Sequence, residues 1–174
     1  MSSANKNGGW SRPHTISVLV ENKPGVLTRV AGLFARRGYN IDSLAVAATD
    51  DPGLSRMTVV VQTKDELVLS QICAQVEKLV DVHSINDHTE EAIVARELAL
   101  VKVRCDDASL AAILQIVTVF RARTVDIAEG EVVIEVTGAR DKIDAMLRLL
   151  ERHGIVEMAR TGEVILSRGV QPKT

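Results

Sequence analysis

Polar and apolar residues follow one another along the first half of the chain in patterns that predict short strands and amphipathic helices. The segment HTISVLVE at 14–21 alternates in the manner of a half-buried strand and is rich in β-branched residues. Beyond the turn NKPG at 22–25, apolar residues recur at helical spacing until Gly38, which predicts a helix that ends at this glycine. Further strands are predicted at 39–48, 55–63 and 80–88, and a second helix at 65–79.

The same order of elements recurs in the second half. Strands are predicted at 96–105, 124–128, 131–137 and 155–159, helices at 108–120 and 140–152, and a short apolar tail at 164–166. The order β-α-β-β-α-β is that of the ferredoxin-like split βαβ unit, in which both helices cover one face of an antiparallel sheet. We therefore predict an α+β fold class with two ferredoxin-like βαββαβ units.

A charged connector, TEEAIVA at 89–95, separates the two predicted units. The chain is thus expected to divide into a flexible N-terminal extension at 1–13, a first domain at 14–92, a second domain at 93–170 and a tail at 171–174. A repeat of about 80 residues indicates two domains, because solenoid repeats are about 20 to 50 residues long.

The composition argues against nucleic-acid and membrane partners. The net charge is −2, so the chain lacks the basic surplus that neutralises phosphates. RNA-recognition domains share the predicted topology, but they stack bases on aromatic residues of the sheet, and only 2% of this chain is aromatic. The most apolar stretch, at 108–120, is too short to span a bilayer.

The cysteines and the N-terminal segment favour a reducing compartment. The two cysteines form no CxxC motif and no disulfide framework. The first 13 residues are polar and lack the apolar core of a signal peptide. We therefore expect a cytoplasmic protein.

No pattern of catalytic residues is recognisable in the sequence. It contains no GxSxG motif, no P-loop and no GxGxxG motif. The histidines show no metal-ligand spacing with cysteines or paired carboxylates, and each is expected at the surface or at a strand end: His14, His83, His88 and His153. The chain is accordingly predicted to be non-catalytic, with no catalytic residue and no metal site.

The segment from Asn22 to Leu27, which links the first strand to the first helix, is a candidate ligand site. A helix N-terminus attracts a carboxylate through its free backbone N–H groups, and Gly25 lets that carboxylate approach without a Cβ in the way. Pro24 suits the first helical turn, and Asn22 suits the cap position or, through its side-chain amide, a ligand. The alternative is a capping loop with a tight turn and no ligand.

The segment from Gly38 to Ile41 offers complementary groups. Asn40 can accept a hydrogen bond from an ammonium group, and Ile41 can line an apolar pocket. The alternative is that this segment only ends a helix and begins a strand. Taken together, the two segments can recognise the carboxylate, the ammonium and the side chain of a branched amino acid. Because they flank opposite ends of the first helix, one ligand reaches both only when two chains pair.

These residues also carry a resemblance to a known family. The stretch from Ser17 to Val61 is similar nearly throughout to the regulatory small subunits of acetohydroxyacid synthase, also called acetolactate synthase, and the motifs GYNIDSLAV and DDPGLSRMT are its most specific parts. LVDV at 79–82, RELALVKV at 96–103 and SRG at 167–169 also fit, so the resemblance covers about 14–169.

The resemblance implies that the first domain is an ACT domain that pairs as a homodimer and binds valine at the interface. Asn22, Gly25, Val26 and Leu27 would act from one chain, and Asn40 and Ile41 from the other. The chain itself would hold no cofactor. Its partner would be a large catalytic subunit that carries thiamine diphosphate, Mg²⁺ and FAD.

The predicted function is therefore that of a regulatory subunit. It activates the large subunit and confers feedback inhibition by valine or another branched-chain amino acid in branched-chain amino acid biosynthesis. The alternative is a free-standing ACT-domain sensor that regulates a different enzyme or a transcription factor. An enzyme in its own right is a further alternative, which the lack of a catalytic motif disfavours.

Overall fold

The structure, a computed structural model, describes residues 12–63 and 66–169. The first half contains β1 (Arg12–Glu21), α1 (Val26–Arg36), β2 (Ile41–Ala48), β3 (Leu54–Thr63), α2 (Glu66–Glu77) and β4 (Val82–Asp87). The second half contains β5 (Ile93–Arg104), α3 (Asp107–Val119), β6 (Arg123–Ala128), β7 (Glu131–Gly138), α4 (Arg140–Leu150), β8 (Ile155–Arg160) and β9 (Val164–Ser167).

The two halves repeat one topology. The strands are ordered β2-β3-β1-β4 in the first sheet and β6-β7-β5-β8 in the second, and every paired neighbour is antiparallel. The chain divides into two compact units between Ala92 and Ile93. The predicted α+β fold class with two βαββαβ units is confirmed.

The first core lies between its sheet and the helices α1 and α2. The strands contribute alternating residues because successive side chains of a strand point to opposite faces, and α1 contributes Val26, Val30 and Phe34, spaced one helical turn apart. Phe34 is fully buried. Each such side chain stabilises the fold by about 1.5–3 kcal/mol through the hydrophobic effect. The strand residues of this core are Ile16, Val18, Val20, Met57, Val59 and Val61.

The second core repeats this arrangement with other side chains. From β5, Ala99, Val101 and Val103 face the helices and are fully buried. The opposing helix residues are Ile113, Ile116, Val117, Ile143, Met146, Leu147 and Leu150. Each unit therefore has its own core.

The second unit begins with a longer strand than the sequence predicted. β5 begins at Ile93, not at Arg96, and its first residues pair with β9, so that Val94 lies opposite Leu166. The segment that was expected to be an apolar tail is therefore a strand. The periodicity of the sequence did not predict the pairing of β5 with β9, because β9 is only four residues long.

The predicted extension at 1–13 and tail at 171–174 lie outside the described residues, apart from Arg12 and Pro13, which belong to β1. None of the described helices combines the length and the apolar character that crossing a bilayer requires.

Candidate functional site

The turn between β1 and α1 gives the first helix an open N-terminus. Gly25 is the N-cap residue and has a left-handed backbone conformation, with φ of 83°. No side chain caps this helix end, and the Gly25 carbonyl accepts the N–H of Arg29 at 3.0 Å. The Val26 N–H donates to the Lys23 carbonyl at 3.4 Å. The later first-turn N–H groups and the positive end of the helix dipole therefore remain available to an anionic group.

Asn22 does not act as the predicted helix cap. Its Nδ2 donates to the Pro52 carbonyl at 3.1 Å, and its backbone N–H donates to the Gly53 carbonyl at 2.8 Å. Asn22 thus ties the β1–α1 loop to the turn between β2 and β3. It positions the loop, and its side chain is exposed.

Val26 and Leu27 contribute in different ways. The Val26 side chain is buried in the first core, and its backbone N–H donates to the Lys23 carbonyl at 3.4 Å. The Leu27 side chain is 42% exposed and offers apolar surface beside Gly25.

Arg29, which the sequence analysis did not single out, lies beside this turn. A Cβ at Gly25 would lie 3.4 Å from Arg29 Nη1, which places the guanidinium next to the turn. Arg29 Nη2 also donates to Asp81 Oδ2 at 2.6 Å. The sequence signal that could have identified Arg29 was its spacing of four positions from Gly25, because residue i+4 of a helix lies on the same face as residue i.

A second cation lies on the same loop. Lys23 Nζ lies 2.5 Å from Glu21 Oε2, and this hydrogen bond raises the pKa of the Lys23 ammonium. Lys23 is therefore charged at neutral pH. Glu21 and Asp81 offset the charges of Lys23 and Arg29, so the helix N-terminus supplies most of the attraction for a carboxylate.

Asn40 and Ile41 lie at the far end of the sheet from Asn22. In the sheet register, Ile41 of β2 pairs with Val61 of β3, and Val61 pairs with His14 of β1. His14 lies eight positions before Asn22. At about 3.3 Å per residue, the two segments are about 26 Å apart. Asn40 is exposed and Ile41 packs against the first core, on the edge strand β2. A single chain does not bring the two halves of the candidate site together.

Two of the histidines that were expected at the surface or at a strand end lie close to strand ends and are buried. His88 Nε2 lies 2.7 Å from Ser17 Oγ, and His88 Nδ1 lies 2.7 Å from Glu91 Oε2. Ser17 lies in the middle of β1 and is only 6% exposed, so its hydroxyl is not open to a substrate. The network holds the segment after β4 against β1. His14 is likewise buried and contacts Thr89 Oγ1 at 3.1 Å.

Metal and thiol chemistry find little support in the part of the chain that the structure describes. There, no three His, Cys, Asp or Glu side chains are grouped so that they would hold a metal ion. Cys73 and Cys105 are not joined by a disulfide. Burial raises the pKa of the Cys73 thiol to about 11, which makes it a poor nucleophile.

Two family models match the chain, one to each unit. The model described as "AHAS small subunit-like ACT domain" matches residues 16–84, and the model described as "Small subunit of acetolactate synthase" matches residues 96–169. Among curated relatives, the acetolactate synthase small subunit of Mycolicibacterium smegmatis is 51% identical over 156 residues, which are 90% of this chain and 91% of the relative.

A relative from a distant organism and a solved structure carry the same description. The probable acetolactate synthase small subunit of Archaeoglobus fulgidus is 48% identical over 156 residues, 90% of this chain and 97% of the relative. The crystal structure of the acetolactate synthase small subunit from Thermotoga maritima matches with a TM-score of 0.82 and 42% identity. The match covers 92% of this chain and 99% of that one.

Proposed function

The chain belongs to the family of acetolactate synthase small subunits, and from this premise we propose that it is the regulatory subunit of that enzyme. It activates a catalytic large subunit and makes that subunit sensitive to feedback inhibition by a branched-chain amino acid, with valine as the first candidate. The regulatory ligand binds the first unit, which matches the ACT-domain family model.

The observation that carries this proposal is the start of α1. Gly25 adopts φ of 83°, no side chain caps the helix, and the Arg29 guanidinium lies beside the turn. These groups suit a small carboxylate, which gains hydrogen bonds from the helix N-terminus and lies close to the Arg29 guanidinium that Asp81 holds beside the turn. Leu27 supplies an exposed apolar surface for an aliphatic side chain.

The complete site requires two chains. Asn40 and Ile41 lie about 26 Å from Asn22 within one chain, judged from strand register and rise. Among the described residues, β2 is an edge strand of the first sheet, and open edges favour pairing with another chain. In a homodimer of first units, the second chain supplies Asn40 for the ammonium and Ile41 for the apolar wall.

The ligand regulates because its binding is thermodynamically coupled to the arrangement of the two chains. An effector that bridges two chains shifts an equilibrium between arrangements only to the extent that it binds one of them more tightly. The catalytic chemistry then belongs to the large subunit, which carries thiamine diphosphate, Mg²⁺ and FAD. The small subunit contributes no residue to the reaction and biases the conformation of its partner.

The test is reconstitution. The chain is mixed with the acetolactate synthase large subunit of the same organism, and condensation of pyruvate is measured with and without valine, leucine and isoleucine. We expect a higher rate with the chain present than without it, and inhibition by at least one of the three amino acids. An unchanged rate with no amino acid response would reject the regulatory assignment and favour a free-standing sensor.

A further inference from the structure

Asp81 lies near the turn that precedes α1 and is held in place by its own backbone. It directly precedes β4, and its carbonyl accepts the Glu21 N–H at 2.8 Å. The Val82 N–H donates to the Leu79 carbonyl at 3.0 Å, which closes the turn between α2 and β4. The Asp81 side chain is only 13% exposed. Its carboxylate is therefore a fixed acceptor next to the end of β1.

The Arg29 guanidinium lies between this carboxylate and the turn at Gly25. Its Nη2 donates to Asp81 Oδ2 at 2.6 Å, and its Nη1 lies 3.4 Å from the position of a Cβ on Gly25. Within residues 12–63 and 66–169, Nη1 donates to no acceptor. Because the guanidinium is planar and its donors form a rigid fork, the bond from Nη2 also fixes the direction of Nη1.

This ion pair contributes little to stability. The Arg29 side chain is 47% exposed, and in such a pair water screens the charges while the ordering of a long side chain costs entropy. Asp81 also offsets the charge of Arg29, so the guanidinium adds little long-range attraction for a carboxylate. What the pair supplies is position, because the N–H groups of Nη1 face the turn before any ligand binds.

We propose that Asp81 is a positioning residue of the ligand site, which holds Arg29 so that Nη1 donates to the carboxylate of the bound amino acid. This role rests on the amino-acid binding proposed above for the start of α1. A free arginine side chain loses rotamer freedom when a ligand immobilises it, whereas Arg29 has already lost that freedom through its bond to Asp81. Asp81 therefore raises the affinity for the ligand without touching it.

Calorimetric titration of the full chain with valine tests this role. Asp81→Ala removes the acceptor, and we expect valine to bind roughly fivefold to tenfold more weakly, since Arg29 must then be ordered on binding. Asp81→Asn keeps a side-chain oxygen that accepts from Arg29, so we expect an affinity within about twofold of the native chain. The matched control is Asp144→Ala, which removes a 2.6 Å partner of Arg160 in the second unit and should leave valine binding unchanged.

A double-substitution cycle with Arg29→Ala distinguishes positioning from general support of the turn. Arg29→Ala alone should weaken valine binding at least as much as Asp81→Ala, because the donor itself is lost. In the Arg29→Ala chain, Asp81→Ala should cause no further loss, since the effects of residues that act through one another are not additive. An equal loss in both backgrounds would show that Asp81 supports the turn independently of Arg29, which overturns the proposal.

The native chain in the same titrations separates this role from the proposed function. If the native chain binds none of valine, leucine and isoleucine, the ligand site is rejected, and the role of Asp81 with it. If the native chain binds valine and the Asp81→Ala chain binds it as tightly, only the role of Asp81 is overturned. Equal weakening by Asp81→Asn and Asp81→Ala also overturns this role, because the charge and not the acceptor would then matter.

Discussion

Asn22 and Cys105 occupy equivalent positions in the two units. The Asn22 N–H donates to the Gly53 carbonyl and the Cys105 N–H to the Gly130 carbonyl, each at 2.8 Å. In both units, this bond ties the loop after the first strand to the hairpin turn of the neighbouring strands. The repeat therefore extends to the loop geometry, although the two residues differ chemically.

The helices that follow these two loops begin differently. α1 starts at Gly25 and has no side-chain cap. α3 is preceded by Asp106, whose carboxylate accepts the Ser109 N–H at 2.8 Å in a reciprocal capping box. The hydrogen bonds with Ser109 also lower the pKa of Asp106. In the second unit, Asp106 therefore fills the place that a ligand carboxylate would take in the first.

We predict that each chain binds one valine, in the first unit only. Equilibrium dialysis of the full chain should give one ligand per chain, and Gly25→Asp should abolish that site. Asp106→Ala removes the cap of α3 and should lower thermal stability, but it should leave the stoichiometry unchanged. A site that survives in the Gly25→Asp chain would assign valine to the second unit instead.

We predict that Gly25→Asp abolishes inhibition by valine in the reconstituted enzyme. The substitution sets a carboxylate against the ligand carboxylate and crowds Arg29, since a Cβ would lie 3.4 Å from its Nη1. The left-handed φ also costs stability of about 1 kcal/mol. Gly130→Asp is the matched control, because Gly130 has φ of 80° and open space around it. The control should lose similar stability and keep the valine response.

We predict that Asn40→Ala weakens valine binding by about 1–3 kcal/mol, because a buried polar group of the ligand loses its partner. Calorimetry of the full chain measures this change. The variant should still dimerise, since Asn40 is exposed and lies outside the first core.

Mixing Asn40→Ala chains with Gly25→Asp chains tests whether the site is shared between chains. In a heterodimer, one shared site keeps both native residues and the other carries both substitutions. We expect calorimetry on the purified heterodimer to find one tight site. Absence of any tight site would mean that each ligand is held within one chain.

We predict that Glu97→Ala destabilises the second unit by about 2–3 kcal/mol. Arg160 Nε and Nη2 donate to the Glu97 carboxylate at 2.8 and 2.5 Å, and the Glu97 side chain is only 5% exposed. Removing Glu97 takes away the buried partner and leaves the guanidinium with Asp144, which accepts from Arg160 Nη1 at 2.6 Å. The exposed pair of Lys102 and Glu157, at 3.4 Å, provides the control. Glu157→Ala should change the free energy of unfolding by less than about 1 kcal/mol in denaturant titrations.

We predict that Cys73 resists alkylation in the folded protein. Burial raises its thiol pKa from 9.0 to about 11, so the thiolate population at neutral pH falls about a hundredfold. Mass spectrometry after iodoacetamide treatment at pH 8 should show slow modification of Cys73, and fast modification once denaturant is added. Equal rates in the two states would contradict the burial of this side chain.

Local sequence determined the elements of this protein and the position of its candidate site. The alternation of Ile16, Val18 and Val20 reflects a strand with one buried face, and the spacing of Val30 and Phe34 reflects one helix face. Gly25 was also identifiable, because a turn with left-handed backbone geometry favours glycine. These features depend on residues close together along the chain, so periodicity and residue type predict them.

Only the tertiary structure decided which distant residues meet. It pairs Val94 with Leu166, buries His88 against Ser17, and places Arg29 between Gly25 and Asp81. It likewise separates Asn40 from Asn22, since the sheet register sets which strand ends lie together. The strand register and the position of each loop depend on the free energy of the whole packed unit, because segments far apart in sequence compete for the same partners. No local pattern of residues contains that information.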